Sequence, residues 1–534
     1  MGKGDGGHVG QRDWKRKESL ASALMQVALV ALLLGAAVAY VVHRGRVRQE
    51  TDTRLKAAQG LAQRGNPADL EKALKELDAL FALDPKVYAA HALAAELQAE
   101  LWLEHHQPGA EPLAREHLSR AEALESKDVE RYGAKVVRAR LLVAEGKAAE
   151  ADQVLKALRD RGASNPKLWL TQARTYQALG NLQAARQAYS RATEAAWKDP
   201  RYAAAYGEAL LEEGLFAQAS EAVGRALSAN PDHLPSKLTA ALAVLYMRER
   251  PADAERALQE IQEHEAELSP ALKARVLTAR AELALVRGAP EEALKSVDAA
   301  LALLPEDPAA LFGRARALAV KKDAGARAAF EAAVAKHRTS PLLYLEGAKA
   351  LHQAGDGAGA LALLDAYEAV FRDVQVPAGE DKTVSALERD DRYWLARGGI
   401  LEAAGRQDEA QAAYDRAIAV KGSSLARAQY AKGALLLARK DYAGAREVLA
   451  AVTPETGAGP LPDAYAAMGE ALFGQGDYAT GLQHHYVALS RDRARKVPLE
   501  QLQARAADIG KRLTAAGQPT MAKTWKTETD SLLK

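Results

Sequence analysis

The chain has no cysteine. That absence excludes disulfides, thiolate metal sites, a cysteine nucleophile and a lipid-modified cysteine, and it leaves the redox compartment open. An excess of one charge is missing too: 72 Lys and Arg stand against 70 Asp and Glu, a net charge of +2. Nothing in that balance argues for nucleic acid as a partner. Aromatics are sparse, at 5% of 534 residues. Runs of β-branched residues are almost absent, whereas alanine is abundant and prolines punctuate, which points to helices. The length exceeds what one ordinary core supports, so several domains or an elongated array are expected. Long apolar runs are lacking as well, with one exception.

The exception is Leu20–Val42, "LASALMQVALVALLLGAAVAYVV", 23 residues without a charge. As a helix it spans roughly 30 Å or slightly more, enough for a bilayer core. It predicts a single-pass transmembrane helix over 20–42. Basic residues flank it: Arg12, Lys15, Arg16 and Lys17 in a tail over 1–19, and Arg44, Arg46 and Arg48 in a juxtamembrane linker over 43–50. Trp14 and Tyr40 suit the two interfaces. A cleaved signal peptide is the alternative, since Ala37–Ala39 fits a small-x-small cleavage pattern. The length of the run and the arginines directly after it favour an uncleaved anchor. Five basic residues lie near each end, so the positive-inside rule nearly ties. A short basic tail before a first apolar helix more often stays in the cytoplasm. The expectation is an inner-membrane protein whose large carboxyl-terminal part is periplasmic.

Beyond residue 50 the sequence repeats itself. On a 34-residue ruler starting at Pro200, the small residue Gly207 is eighth, Leu210 eleventh, Gly214 fifteenth, Ala219 twentieth, Val223 twenty-fourth, Ala226 twenty-seventh and Pro231 thirty-second. Trp169, Ala173, Tyr176, Gly180, Ala185, Tyr189 and Ala192 fall on the same marks one unit earlier, and Trp394, Gly398, Leu401, Gly405, Ala410, Tyr414 and Ala417 do so later. About twelve units begin near residues 51, 85, 132, 166, 200, 234, 274, 308, 341, 391, 426 and 462. Some are irregular. The first carries extra residues after Gly65, the second is interrupted by Glu104–Pro112, and the sixth reads "RERPADAERA" where the turn glycine belongs. Residues 375–390 lie between units and predict an exposed loop or a short extra helix.

This pattern resembles the tetratricopeptide repeat (TPR) family, in its membrane-anchored bacterial form. The resemblance implies an all-α fold: an α-solenoid of about twelve helix pairs in a right-handed superhelix, preceded by one transmembrane helix. The array would run over 51–374 and 391–497, with capping helices over 498–534. Small residues at the eighth, twentieth and twenty-seventh marks let helices approach closely, and larger ones at the fourth, eleventh and twenty-fourth fill the grooves. Glycine at the fifteenth mark permits the positive φ that ends the first helix. One pair cannot bury its apolar stripe alone, so neighbours stack.

No catalytic motif appears, and no segment between 51 and 497 outside the units is long enough for a catalytic domain. The histidine pairs His105-His106 and His484-His485 are adjacent, so on a helix they diverge and cannot chelate as i,i+4 pairs do. No catalytic residue, metal or cofactor is expected, and the chain reads as a non-enzyme. TPR arrays bind extended peptides or helices on the concave face. Carried over by mark, the partner-binding residues implied are Arg140, Lys167, Thr171, Arg174, Gln177, Arg201, Glu208, Phe312, Arg316, Lys349, His352, Tyr430 and Phe473. The early part is the more basic and suits acidic segments of proteins or peptides. The carboxylate-clamp subtype needs asparagine on the first helix, but Asn66, Asn165, Asn181 and Asn230 all lie at turns or unit boundaries. The function expected is a membrane-anchored scaffold, part of a multiprotein cell-envelope machine for secretion, pili or motility. A cytoplasm-facing adaptor regulating an envelope or signalling enzyme, and a periplasmic chaperone beside the translocon, remain as alternatives.

Overall fold

The computed structural model describes residues 20–125, 132–379, 382–454 and 456–534. The basic tail expected over 1–19 lies outside the described residues. Among the described residues the chain forms 26 α-helices, which pack as consecutive pairs into an α-solenoid. The first helix, Leu20–Ala62, has 43 residues and is about 65 Å long. Its apolar part is exposed from Leu24 onward. Residues 43–50, expected as a linker, are helical and continuous with both sides. No proline or turn signal interrupts them, and Arg54 closes i,i+4 onto Glu50 at 2.9 Å. The far end of this helix buries Ala58 and Ala62 against Leu70, Ala73 and Leu77 of the helix Pro67–Leu83, so the apolar segment and the first repeat share one rod.

The marks have direct steric meaning. A Cβ added at Gly433 would lie 2.6 Å from Leu449, and one at Gly469 would lie 2.6 Å from His485. Gly207 faces Val223 and Gly398 faces Tyr414 in the same way. In each case the eighth mark touches the twenty-fourth of its own unit. Ala185, Ala192, Ala219 and Ala226, at the twentieth and twenty-seventh marks, are at most 1% exposed. The fifteenth mark has positive φ in every unit but the second, where Ala99 continues its helix. Glycines supply it at Gly65, Gly146, Gly180, Gly214, Gly288, Gly355, Gly405 and Gly476; Arg248 (φ 55°), Lys322 (56°) and Lys440 (61°) supply it where glycine is missing. The core is a string of clusters along the stack, the largest running from Phe312 to Ala428.

The segment 375–390 differs from expectation. It forms two antiparallel strands, β1 (Gln375–Gly379) and β2 (Lys382–Ser385), with Val376 opposite Val384, followed by a 3₁₀ turn, Ala386–Arg389. The β-branched pair Thr383-Val384 favours extended backbone. An isolated hairpin is marginal; this one is pinned because Val376 is 2% exposed and the Ser385 hydroxyl donates to the Phe371 carbonyl.

The coil also touches itself across turns. Asn66 Nδ2 donates to the Asp232 carbonyl (3.2 Å), Asn66 Oδ1 accepts from the Leu234 N–H (2.9 Å), and Asn230 Nδ2 donates to the Arg64 carbonyl (2.9 Å). His105 meets Ser269 Oγ at 3.3 Å, and its carbonyl accepts from the Ala271 N–H. Ser340 Oγ donates to the Glu212 carbonyl (3.1 Å) and Arg392 to the Glu213 carbonyl (2.5 Å), while Val374 and Phe371 close over Gly180. The first seam joins residues 166 positions apart, which amounts to roughly five units for each contact between turns.

Candidate functional site

The seams enclose an ionic lining. Glu96, Glu100 and Glu104 follow one another at four-residue intervals along one face at the helix Tyr88–Leu103. Lys167 pairs with Glu96 at 2.5 Å, and Arg201 with Glu100 at 3.1 Å and Asp199 at 2.7 Å. Arg140 and Arg174 both converge on Glu104. Burial drives the Glu104 carboxyl up, but those two guanidiniums more than reverse it and hold its pKa at about 2. The early groove, read from sequence as basic, is therefore neutralised by the chain's own glutamates. Further along, Arg275 pairs with Glu208 and Arg316 with Glu282 at 2.5 Å. Gln177 Nε2 donates to Glu212 (2.6 Å) while Gln177 Oε1 accepts from Tyr189 (2.9 Å). Burial, then the neighbouring Glu208, pushes Glu212 up to about 7.

The remaining expected residues separate into buried and open ones. Thr171 is 3% exposed and its hydroxyl returns to the Lys167 carbonyl. Phe312, expected on the open face, is 1% exposed and belongs to the largest core cluster. Phe473 is buried between His485 and Tyr478 with Arg512 over its ring. Tyr430 is half-buried against the cluster around Leu436, and His352 is half-buried in the last turn of the helix Pro341–Ala354. Lys349 is exposed, 3.4 Å from Glu346.

Three of the expected residues meet in one cleft of about 440 Å³. Its walls include Phe312, Arg316 and Lys349 together with Phe216, Tyr246, Arg248 and Lys322. The rings form a run: Phe216 to Tyr246 is 4.9 Å between centroids and Tyr246 to Phe312 is 5.9 Å, with the Arg316 guanidinium over both Tyr246 and Phe312. The Tyr246 hydroxyl has no hydrogen-bond partner among the described residues. Arg248 and Lys322 are exposed and have no carboxylate within ion-pair distance among the described residues. Chemically the cleft offers the partly exposed edges of Phe216 and Tyr246, with Phe312 buried behind them, beside Arg248 and Lys322, and Glu346 as its one carboxylate among the described residues. That combination suits an apolar side chain next to a carboxylate. Sequence reasoning missed Phe216, Tyr246, Arg248 and Lys322. The available signal was the basic residue standing where two units lack their turn glycine. No group of three or more His, Asp and Glu among the described residues is arranged to hold a metal ion.

Models of the tetratricopeptide repeat match residues 142–209, and 278–325 with 395–460. No curated protein matches the sequence. Among solved structures, the human IFIT1 dimer with PPP-AAAA shares 17% identity over 79% of this chain and 94% of that one, with a TM-score of 0.40. A chain of the APC/C hetero-tetramer Cut9-Hcn1 shares 13% over 82% and 92%, at 0.36. A tetratricopeptide repeat protein from Parabacteroides merdae shares 18% over 57% and 98%, at 0.29. Likenesses of that size carry nothing about function.

Proposed function

Starting from a chain that is a tetratricopeptide-repeat protein, we propose that it is a non-enzymatic scaffold anchored by Leu20–Val42, which grips an acidic segment of a partner protein in the cleft between Tyr246, Phe312 and Lys349. One observation carries this reading. Arg248 and Lys322 occupy the fifteenth mark with positive φ, where eight other units use glycine, and both line the same cleft. A non-glycine residue in the left-handed region costs roughly 1 kcal/mol relative to glycine. Strain of this kind clusters at functional sites. Two strained cations on one aromatic wall point to recognition of a carboxylate beside an apolar group. The tether is a rigid one, because the apolar helix runs unbroken into the first repeat. The helix is by composition long and apolar enough to cross a membrane.

The reading extends to assembly of a cell-envelope machine, with the array on the periplasmic side. Crosslinking and affinity capture from membranes should return a partner with the wild-type chain and lose it with Arg248→Gly/Lys322→Gly. That double variant removes the cations and the strain together, so it should be more stable while binding less. Equal capture by both proteins would refute the cleft as the binding site. A reporter fused after Lys534 that is active only in the cytoplasm would refute the periplasmic placement.

A further inference from the structure

The bare part of the first helix is short. Among the described residues, Glu50 is the first of its charged side chains to be paired: it holds Arg54 at 2.9 Å, and Arg54 also reaches Glu76 of the helix Pro67–Leu83 at 3.1 Å. Thr51 is 6% exposed, so packing of the array begins there. Between Val42 and Thr51 stand Arg44, Arg46 and Arg48. All three are exposed, with no carboxylate within ion-pair distance among the described residues. Arg44 and Arg48, four positions apart, share a face, and Arg46 lies on the opposite one. With the rod along the bilayer normal they stand about 3–9 Å beyond Val42, which is the depth of the headgroup layer.

The chain reverses over 63–66, and the second helix runs back towards the apolar segment. Since Glu76 faces Arg54, Leu83, at the end of that helix, comes level with Val47, about 7–8 Å beyond Val42. Leu83 is 42% exposed. Lys86, in the connection that follows, is exposed and has no carboxylate within ion-pair distance among the described residues. The carboxylate between them, Asp84, turns back to accept the Lys86 backbone N–H at 2.9 Å. Resting on the reading of Leu20–Val42 as a membrane anchor, we propose that this end of the array binds anionic phospholipid headgroups. Arg44, Arg46, Arg48 and Lys86 take the phosphates, and Leu83 presses on the same layer. The occupant follows from depth and sign: at that height unpaired cations stand among lipid phosphates. Because the helix is unbroken from Leu20 to Ala62, the contact sets the first repeat, and not only the anchor, against the bilayer.

The test uses the full-length chain in phosphatidylcholine vesicles, with and without phosphatidylglycerol. Spin-labelled lipids read which headgroup collects around the anchor. The motionally restricted lipid should prefer phosphatidylglycerol about fivefold, and Arg44→Gln/Arg46→Gln/Arg48→Gln/Lys86→Gln should bring the ratio near one. Arg248→Gly/Lys322→Gly should keep the preference, which separates this surface from the aromatic cleft. Because the chain has no cysteine, Leu83→Cys and Gln63→Cys each supply a single labelling site. A fluorophore at position 83 should be quenched by headgroup-labelled lipid, and one at position 63, about 30 Å beyond Val42, should not. Release of the chain by alkaline carbonate would overturn the anchor and the headgroup site together. A chain that stays in the vesicles but shows no preference, keeps it in the quadruple variant, or is quenched equally at both positions leaves the anchor standing and overturns the headgroup site alone.

Discussion

The first ten helix pairs and the last three obey the same packing rule between neighbours, yet they are held together differently. Through the unit that contains Arg392, turns of the coil are joined by hydrogen bonds between residues more than 120 positions apart. From residue 425 onward, the longest-range side-chain bond among the described residues is Arg512 to Glu470, 42 positions apart. The difference follows the irregularities of the repeat. Asn66 sits in the extra residues of the first unit, His105 in the interruption of the second, and Val374 and Arg392 flank the insert. The last three pairs have one irregular stretch, 451–461, and among the described residues its side-chain bonds reach no further than Arg491, 32 positions away. The regular residues build the stack and the exceptional ones join its turns. The early array is thus a closed coil with a paired ionic interior, and the late array is an open stack that, among the described residues, has no such seam.

The largest effect should come from the interior of the closed coil. Glu212, pushed up to about 7 from an ordinary value near 4.5, holds its proton more firmly folded than unfolded. It is therefore most costly when ionised: folding loses free energy as pH rises from about 4.5 through 7. Glu212→Gln should stabilise the first ten pairs by about 3 kcal/mol at pH 8 and change little at pH 5. Hydrogen exchange at the two pH values reads this region by region, and the last three pairs should not respond. His105 and His233 carry the opposite sign. Burial depresses each to about 4, so their stabilisation is complete above about 6.5 and is lost as pH falls towards 4, about 2 kcal/mol each by pH 5. Acid should open the seams they occupy. If Glu212→Gln affected both regions equally, the coil would not be the separate unit described.

The next effect concerns a seam alone. Asn66→Ala removes a donor to Asp232 and an acceptor for Leu234, and it leaves a backbone N–H without its partner. A loss of about 2 kcal/mol is expected, confined to the first ten pairs. The matching perturbation in the open stack is Gly433→Ala, whose Cβ would press on Leu449. It should cost about 1–2 kcal/mol locally, since overpacking forces the two helices apart. Limited proteolysis should place the new cleavage near residues 64–66 and 230–234 for Asn66→Ala, and between 425 and 461 for Gly433→Ala.

Much of the stack was legible because its contacts are local and recur. Gly207 with Val223 and Gly398 with Tyr414 lie within one unit, so periodicity exposes them. The seams were not legible, because a bond between Asn66 and Asp232 has no periodic counterpart. The irregular segments could be seen in the sequence, but what they touch could not. The same limit explains the early groove. Arg140, Arg174 and Arg201 were visible as cations, while Glu104 and Glu100, which neutralise them, lie 36, 70 and 101 positions away. Phe312 and Arg316 were found by mark, although the mark does not say that Phe312 turns into the core. The hairpin at β1 and β2 escaped because polar residues around Thr383-Val384 hide a short extended pair, stabilised only by what it packs on.

The smallest effect gives the sharpest contrast between a strained residue that has a task and one that does not. Lys440 adopts φ 61° at the fifteenth mark of the unit beginning near residue 426, as Lys322 does at φ 56° in the closed coil. Only Lys322 lines the aromatic cleft. Replacing either by glycine relieves the same backbone strain, so each should gain up to about 1 kcal/mol, partly offset by the greater freedom of glycine in the unfolded chain. The two should raise the melting temperature alike. They should part company in partner capture, which Lys440→Gly leaves intact and Lys322→Gly weakens. If neither change alters capture, the positive φ at Lys322 is a residue of the turn geometry alone, and the cations of the cleft are ordinary helix carboxyl-terminal charges facing the last carbonyls of their own helices.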